Sequence, residues 1–498
     1  MDTSIFDLYT AGLPLVLQWQ TILWLLFGVV AGVVIGALPG MSATMGIAVM
    51  TPLTYGMDMG PSFALLMGVF CGAIYGGSIT AVVANIPGAP SSMMTTLDGY
   101  PLGQQGKAGL AIGTATVASV IGGLISVVIL SCVAAPLAKM ALKFSAQEYF
   151  AVALIGLAVI AILAETSIIR GLISGVIGLL LATIGSDPLL GTPRFTFDNY
   201  YLLEGIQTVP VLIGFFGLVS ALQMVEKKQS DLHIVQDFGR ILPNKKEMKE
   251  IMPSIGRGSA IGVIIGAIPA AGGTIASIIA YGLEKRLSKH PEQFGKGCLN
   301  GIAAPESANN GASGGAMIPM LALGVPGDAC TAILLGALTI KGLTPGPTLF
   351  SQHLDVVSCI YICLLFANIL FFFVGIFGAK YISRVILVPN EYLAPCILVF
   401  CLMGAFAIRS AVFDIWTLLL IGVLGYIFSK IDLPASPVVL GFVLGSLFES
   451  GLRRGLMLSH GNFLEFFTRP ISGICIVIAI LVIFLPKLSA LFAKVMKH

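Results

Sequence analysis

The chain has 498 residues, of which 57% are hydrophobic and 10% charged, with a mean hydropathy of +0.97, whereas an ordinary soluble domain carries roughly 25% charged residues. This composition excludes a soluble enzyme and predicts an all-α polytopic membrane protein of roughly ten to twelve membrane segments, each about 20 residues long. The net charge of +3 is small and its Lys and Arg are scattered over loops, so it sets topology and gives no reason to expect nucleic-acid binding.

The amino terminus opens with Asp2 and Asp7 and lacks the basic region of a cleaved signal, so the first apolar run, Gln20–Gly36, is expected to stay. It is interrupted at Pro39-Gly40-Met41-Ser42-Ala43-Thr44, and a second interruption follows at Asn85-Ile86-Pro87-Gly88-Ala89-Pro90-Ser91-Ser92. The stretch Thr95 to Gly109 reads as a loop in which Asp98 and Lys107 are expected to be solvated. Apolar runs resume at Gly109–Pro136 and Gly205–Val225. One long polar segment then divides the chain into membrane halves 1–225 and 258–498. This segment, Glu226–Arg257, carries Lys227, Lys228, Arg240, Lys245, Lys246, Lys249 and Arg257, and the positive-inside bias makes it a cytoplasmic linker.

Beyond the linker, Gly258–Tyr281 is broken by Pro269-Ala-Ala-Gly272-Gly273, which fits a helix-turn-helix hairpin better than two full spans. A small-residue segment, Pro305-Glu306-Ser307-Ala308-Asn309-Asn310-Gly311-Ala312-Ser313-Gly314, precedes the break Gly324-Val325-Pro326-Gly327-Asp328. Apolar runs close the chain at Val356–Gly378 and Ile471–Pro486. The nine cysteines have no metal-ligand spacing and read as small buried hydrophobes.

The two halves look like copies. Ile35-Gly-Ala-Leu-Pro-Gly-Met-Ser-Ala-Thr44 lines up with Ile265-Gly-Ala-Ile-Pro-Ala-Ala-Gly-Gly-Thr274 at an offset of 230 (265 − 35), and Gly72, Gly76, Ile79 and Pro87-Gly88 line up with Gly311, Gly315, Ile318 and Pro326-Gly327 at 239 (311 − 72). The flanks Met1–Gln18 and Thr54–Pro61 contain no Lys or Arg, whereas the second block lies between the basic linker and Lys285, Arg286, Lys289 and Lys296. Opposite flank charge predicts an inverted repeat of re-entrant hairpins.

Unwound backbone survives at membrane depth only when protein buries it or a watery cavity solvates it, so matched Gly and Pro breaks point to a transport site. The candidate substrate-binding residues are Ser42, Thr44, Asn85, Pro87, Gly88, Ser91, Ser92, Gly272, Gly273, Thr274, Asn309, Asn310, Ser313, Pro326, Gly327 and Asp328. Helix amino ends at such breaks can hold an anion, and oxygens of Asn85, Asn310 and Asp328 could coordinate Na⁺. Ser91 and Asp328 stand where an N-cap would sit. Glu306 is the most suggestive intramembrane charge, while Arg170, Lys341 and Arg409 could pair with substrate carboxylates or snorkel. Two rival readings are a stand-alone channel or ion-coupled transporter and an intramembrane serine protease built on Gly311-Ala312-Ser313-Gly314. The protease lacks a base, because all five His lie in polar or loop-like contexts.

The segments GALPGMSATMGIAVMTPLTYG, NIPGAPSSMMTTLDGYPLGQQGKAG and APESANNGASGGAMIPMLALGVPGDACTAILLGAL closely resemble the large membrane subunit of the tripartite tricarboxylate transporter family. The resemblance runs from Gln20 to beyond Phe350, with Gly311 and Ser313 standing where alanines are common in the family. It implies a bacterial inner-membrane permease, not an enzyme. Such a permease receives citrate-like tricarboxylates or related organic acids from a periplasmic substrate-binding protein and works with a small membrane subunit. It further implies drive by a gradient of Na⁺, or else H⁺, without an organic cofactor. Consistently, no G-x-x-x-x-G-K-[ST] motif for ATP occurs in the chain.

Overall fold

The computed structural model describes residues 5–38, 40–162, 167–226, 235, 238–269 and 271–481. Pro39, Ala270, Lys227, Lys228 and the end of the run Ile471–Pro486 lie outside the described residues. Among the described residues the protein is all-α apart from a small hairpin of β1 (Gly185–Ser186) and β2 (Pro193–Arg194). Its longer helices are α1 (Trp19–Ala37), α2 (Ala43–Met50), α3 (Met59–Ala84), α4 (Met93–Leu102), α5 (Ala108–Ala141), α6 (Ala146–Ile162) and α7 (Ile168–Ala182). After the linker come α8 (Lys245–Gly266), α9 (Gly272–Leu287), α10 (Leu299–Leu323), α11 (Ala329–Ile340), α12 (Leu354–Val385), α13 (Asn390–Arg409), α14 (Val412–Lys430) and α15 (Ala435–Leu458).

Eight helices among the described residues are long and apolar enough to cross a membrane. The sequence predicts roughly ten to twelve segments; among the described residues α2 and α11, with 8 and 12 residues, are short apolar arms. Such arms are too short to cross hydrocarbon, for which about 20 helical residues are needed. Cys71, Cys330, Cys359, Cys363 and Cys401 are buried as expected of small hydrophobes, but Cys132 and Cys396 are exposed.

The chain forms two compact units. The larger comprises Met1–Ala138 and Phe216–Ala411, and its centre is built from α3 and α10, which are buried along nearly their whole length. Glycines set how closely the neighbouring helices approach. Gly28, Gly32 and Gly36 of α1 rest on the backbone at Leu65, Val69 and Ala73 of α3, so that an added Cβ would lie 2.5, 2.7 and 2.1 Å from the three carbonyl oxygens. In the second half, Gly258, Gly262 and Gly266 of α8 rest in the same way on Ala304, Ala308 and Ala312 of α10, at 2.3, 2.3 and 2.5 Å. Lipid gives helices no hydrophobic reason to associate, so such small-residue seams supply the van der Waals contact that holds them.

Each central helix ends in the left-handed conformation, α3 at Asn85 with φ 56° and α10 at Gly324 with φ 71°. Gly adopts this region without a Cβ penalty and Asn tolerates it better than most residues. The Gly324 amide donates to Met320 O and the Val325 amide to Pro319 O, which satisfies carbonyls a helix end leaves open.

The smaller unit, Lys139–Phe215 and Val412–His498, packs α15 against α6 and α7. Gly178 lies on the backbone of Val438, and Gly451 lies on that of Phe150. A cluster of charges ties its β-hairpin to α15: Arg194 makes paired hydrogen bonds to Glu449, and Arg453 bonds both Asp187 and Glu449. Arg170 pairs with Asp432 at 3.1 Å on an exposed surface.

Candidate functional site

Four short arms, α2, α4, α9 and α11, each begin at one of the sequence breaks. The breaks meet as a ring within the larger unit. An added Cβ on Gly88 would lie 2.1 Å from Gly36 O, which places the second break against the end of α1. The turn Pro90–Ser92 of that break packs on α9. At the start of α9, Gly272 lies against Asp328, with 3.5 Å between its built Cβ and that of Asp328. Thr44 Oγ1 and Cys330 Sγ, 3.3 Å apart, close the ring between α2 and α11. The breaks that precede the four arms are thus joined in a closed circuit of contacts, and each helix amino end carries partial positive charge from amides without intrahelical partners.

The local sequence explains each start. Ser42 caps α2 by accepting from the Met45 amide at 3.2 Å. Asp328 caps α11 as expected, accepting from the Thr331 amide at 2.7 Å, while the Asp328 amide donates to Thr331 Oγ1. Ser91 is not a cap. It lies inside the 3-10 turn Pro90–Ser92, and Ser92 precedes α4 without making a capping bond. Gly272 takes φ +60°, and a Cβ at Gly273 would come within 2.4 Å of Asn309 Oδ1. Close approach to Asn309 is thus why a glycine stands at position 273.

Ser92 Oγ and Asn309 Nδ2 are buried and have no hydrogen-bond partner. A buried polar group left unpaired costs about 1 to 3 kcal/mol; these two atoms border the ring, and others, such as Thr21 Oγ1, Ser174 Oγ and Tyr361 OH, are also unpaired. Other expected residues are occupied. Asn310 Nδ2 donates to Glu306 O, Ser313 Oγ to Asn310 O at 2.6 Å, and Thr274 O accepts from Ser277. Ser313 is therefore bound to its own helix rather than poised as a nucleophile. Asn85 is exposed at the end of α3, Pro87 and Pro326 lie in the loops, and Gly327 packs on Ala316. No hydrogen bond joins Asn85, Asn310 and Asp328, and among the described residues no three of His, Cys, Asp and Glu gather as a metal site.

Beneath the ring lies a carboxylate centre. Glu306 is 1% exposed; its Oε1 accepts from Thr95 Oγ1 of α4 and its Oε2 from Ser119 Oγ of α5 at 2.9 Å. Ser78 of α3 stands beside the same group without a hydrogen bond of ordinary geometry. Glu306 precedes Asn309 by three residues, and Thr95 follows Ser92 by three, so the centre sits one helical turn from both unpaired atoms.

Asp98 overturns the expectation of a solvated loop. It lies in α4 with 0% exposure. Its Oδ1 accepts from the amides of Gly295, Lys296, Gly297 and Cys298 at 2.8 to 3.2 Å, and its Oδ2 accepts from Tyr281 OH at 2.9 Å. Composition suggested a loop, but Ser92, Thr95 and Asp98 recur every three residues, a helical spacing that signals one buried polar face. Lys341, expected to pair with a substrate carboxylate or to snorkel, is held by backbone carbonyls: its Nζ donates to Thr54 O at 2.6 Å and to Met57 O. Asp98 and Lys341 each pin a loop of the opposite half.

The chain matches the Tripartite tricarboxylate transporter TctA family over residues 22–440. It is 37% identical over 468 residues to an uncharacterized 52.8 kDa protein in the TAR-I ttuC' 3' region of Agrobacterium vitis, covering 92% of this chain and 93% of that protein. A second Agrobacterium vitis protein, from the TAR-II ttuC' 3' region, is 34% identical over 227 residues, 44% of this chain and 94% of the relative. No solved structure matches.

Proposed function

This chain belongs to the Tripartite tricarboxylate transporter TctA family, a transporter family whose members are the large subunits of tripartite tricarboxylate transporters, and on that premise we propose that it imports tricarboxylates or related organic acids across a bacterial inner membrane. A periplasmic binding protein delivers the anion, a small membrane subunit completes the permease, and a Na⁺ or H⁺ gradient drives uptake. The observation that carries this reading is the ring of four helix amino ends bordered by the unpaired Ser92 Oγ and Asn309 Nδ2. Carboxylates are acceptor-only, and helix amino ends offer donors with the complementary partial charge. In this reading the two halves are repeats, inverted with respect to each other, and the breaks act as hinges of an alternating-access cycle.

Uptake of labelled citrate into proteoliposomes tests the proposal, with the chain and its candidate small subunit present and the binding protein and a Na⁺ gradient added separately. Uptake that requires the binding protein supports the tripartite reading, and transport indifferent to it refutes that reading. Asn309→Ala and Ser92→Ala should each raise KM roughly 10-fold or more, because a hydrogen bond to a charged group is worth about 1.5 to 3 kcal/mol. Unchanged KM in both would remove these atoms from the site.

A further inference from the structure

We propose that Glu306 is a proton-binding site, and that a proton taken up there moves together with the carboxylate; this rests on reading the ring of breaks as the substrate site. The argument begins with what surrounds the group. Glu306 lies on the buried central helix α10, and both its oxygens are met by hydroxyl groups, those of Thr95 and Ser119. Among the described residues no Lys, Arg or His pairs with it. Other buried acids are compensated differently: Glu284 by Arg257, Glu148 by Arg469, and Asp98 by four amides and Tyr281. A carboxylate enclosed within a membrane protein without a cation is costly, and such groups mark ion pathways.

Hydroxyl partners suit a group that changes protonation state. Thr95 and Ser119 can donate to the carboxylate, and when a proton joins one oxygen a hydroxyl can turn and accept from it, so both forms stay bonded.

Several titratable groups on the elements packed around α10 have partners of their own, although Tyr75 of α3 lies close enough to Glu306 to feel its charge. Tyr75 of α3 shares a 2.7 Å hydrogen bond with Thr116; Asp98 of α4 and Tyr281 of α9 bind each other; Arg257 of α8 pairs with Glu284 of α9. Asp328 caps α11, and Cys330 meets Thr44. Glu306 is also absent from the corresponding place in the first half, where Met67 stands at the offset of 239 (306 − 67). The packing of a central helix therefore does not itself call for an acid.

Position supplies the coupling. An anion in the ring lies about one turn from Glu306, and two negative charges that close, screened by little water, repel strongly. The anion and the proton consequently bind best together, and by linkage each raises the affinity for the other by the same factor. The outcome is proton–carboxylate symport at this site, whether or not Na⁺ binds elsewhere.

Two measurements decide it. In proteoliposomes of the wild-type complex, an inward pH gradient of one unit should raise citrate accumulation about tenfold per coupled proton, whereas Glu306→Gln should bring the ratio with and without the gradient to about one. An equal response in Glu306→Gln and wild type overturns the proposal. Infrared difference spectroscopy on wild type carrying isotope-labelled glutamate should show a carboxylic-acid carbonyl band that titrates, with a frequency displaced in Ser119→Ala. The absence of a titrating band overturns the proposal even if Glu306→Gln fails to fold. Wild type that exchanges no citrate, while the band titrates and shifts in Ser119→Ala, supports the proton site and condemns the substrate reading instead.

Discussion

The two halves of the larger unit share a scaffold and differ in chemistry. Gly28, Gly32 and Gly36 do for α1 and α3 what Gly258, Gly262 and Gly266 do for α8 and α10, at a constant offset of 230 (258 − 28). On the central helices, however, Met67, Phe70 and Cys71 of α3 correspond to Glu306, Asn309 and Asn310 of α10 at 239 (309 − 70). Backbone contact depends on the absence of a side chain, so both halves keep glycine at these three contacts. The polar chemistry needs to be supplied only once where the arms of both halves meet, and α10 supplies most of it. The pins differ in sign as well: a carboxylate, Asp98, gathers amides in the second half, and an ammonium, Lys341, gathers carbonyls in the first.

The largest effect is expected from breaking the acidic pin. Asp98→Ala leaves four part-buried amides and the Tyr281 hydroxyl without their acceptor, and a donor left unsatisfied costs up to about 1 to 3 kcal/mol where water cannot replace the acceptor. Loss of folded protein in detergent, followed by size-exclusion chromatography, is the expected outcome. A monodisperse, active Asp98→Ala would mean that the loop 295–298 holds itself. Next come the ladders. Gly36→Ala and Gly266→Ala each press a methyl group onto a backbone carbonyl, which a flexible neighbour cannot relieve, and overpacking of this kind costs about 1 to 3 kcal/mol. If the scaffold is shared, the two variants lower the melting temperature by similar amounts. A loss confined to one would show that the seams are not equivalent.

Much of this scaffold was legible in the sequence, because Gly and Pro punctuation reflects backbone geometry that few other residues can adopt. The breaks at Ser42, Asn85 to Ser92, Gly272 and Asp328 are where the helices stop and start. Long-range partnership was not legible. Asp98 looked like a loop residue because its acceptors' partners lie about 200 positions away, at 295–298, and local composition carries no record of them. For the same reason Lys341 looked like a cation that could pair with substrate or snorkel, and Thr95 and Ser119 drew no notice. Ser91 missed its expected cap by one residue, since Pro90 starts a tighter turn before α4 begins.

A smaller effect belongs to the basic pin. Lys341→Met removes donors from Thr54 O and Met57 O, but this lysine is only partly buried, so water can replace part of what is lost. A cost of roughly 1 kcal/mol is expected, near the net worth of an ordinary hydrogen bond, well below that of Asp98→Ala. Equal losses from the two would show that sign and burial of the pin are irrelevant, and the asymmetry between the halves would then lie in the central helices alone.

The smaller unit gives the weakest and most specific response, because its ionic cluster lies where water reaches part of it. Hydrogen bonding from Arg453, then from the amides of Leu190 and Leu189, holds the Asp187 carboxyl below its ordinary range against the opposing effect of burial. A carboxyl depressed in the folded state stabilises it above its unfolded value, about pH 4, and that contribution is lost as pH falls further. Wild type and Asp187→Asn should therefore differ in melting temperature at neutral pH and converge below about pH 4. Melting curves that stay parallel down to the lowest pH would show that Asp187 serves by shape rather than charge, and would detach the β-hairpin from the electrostatics of α15.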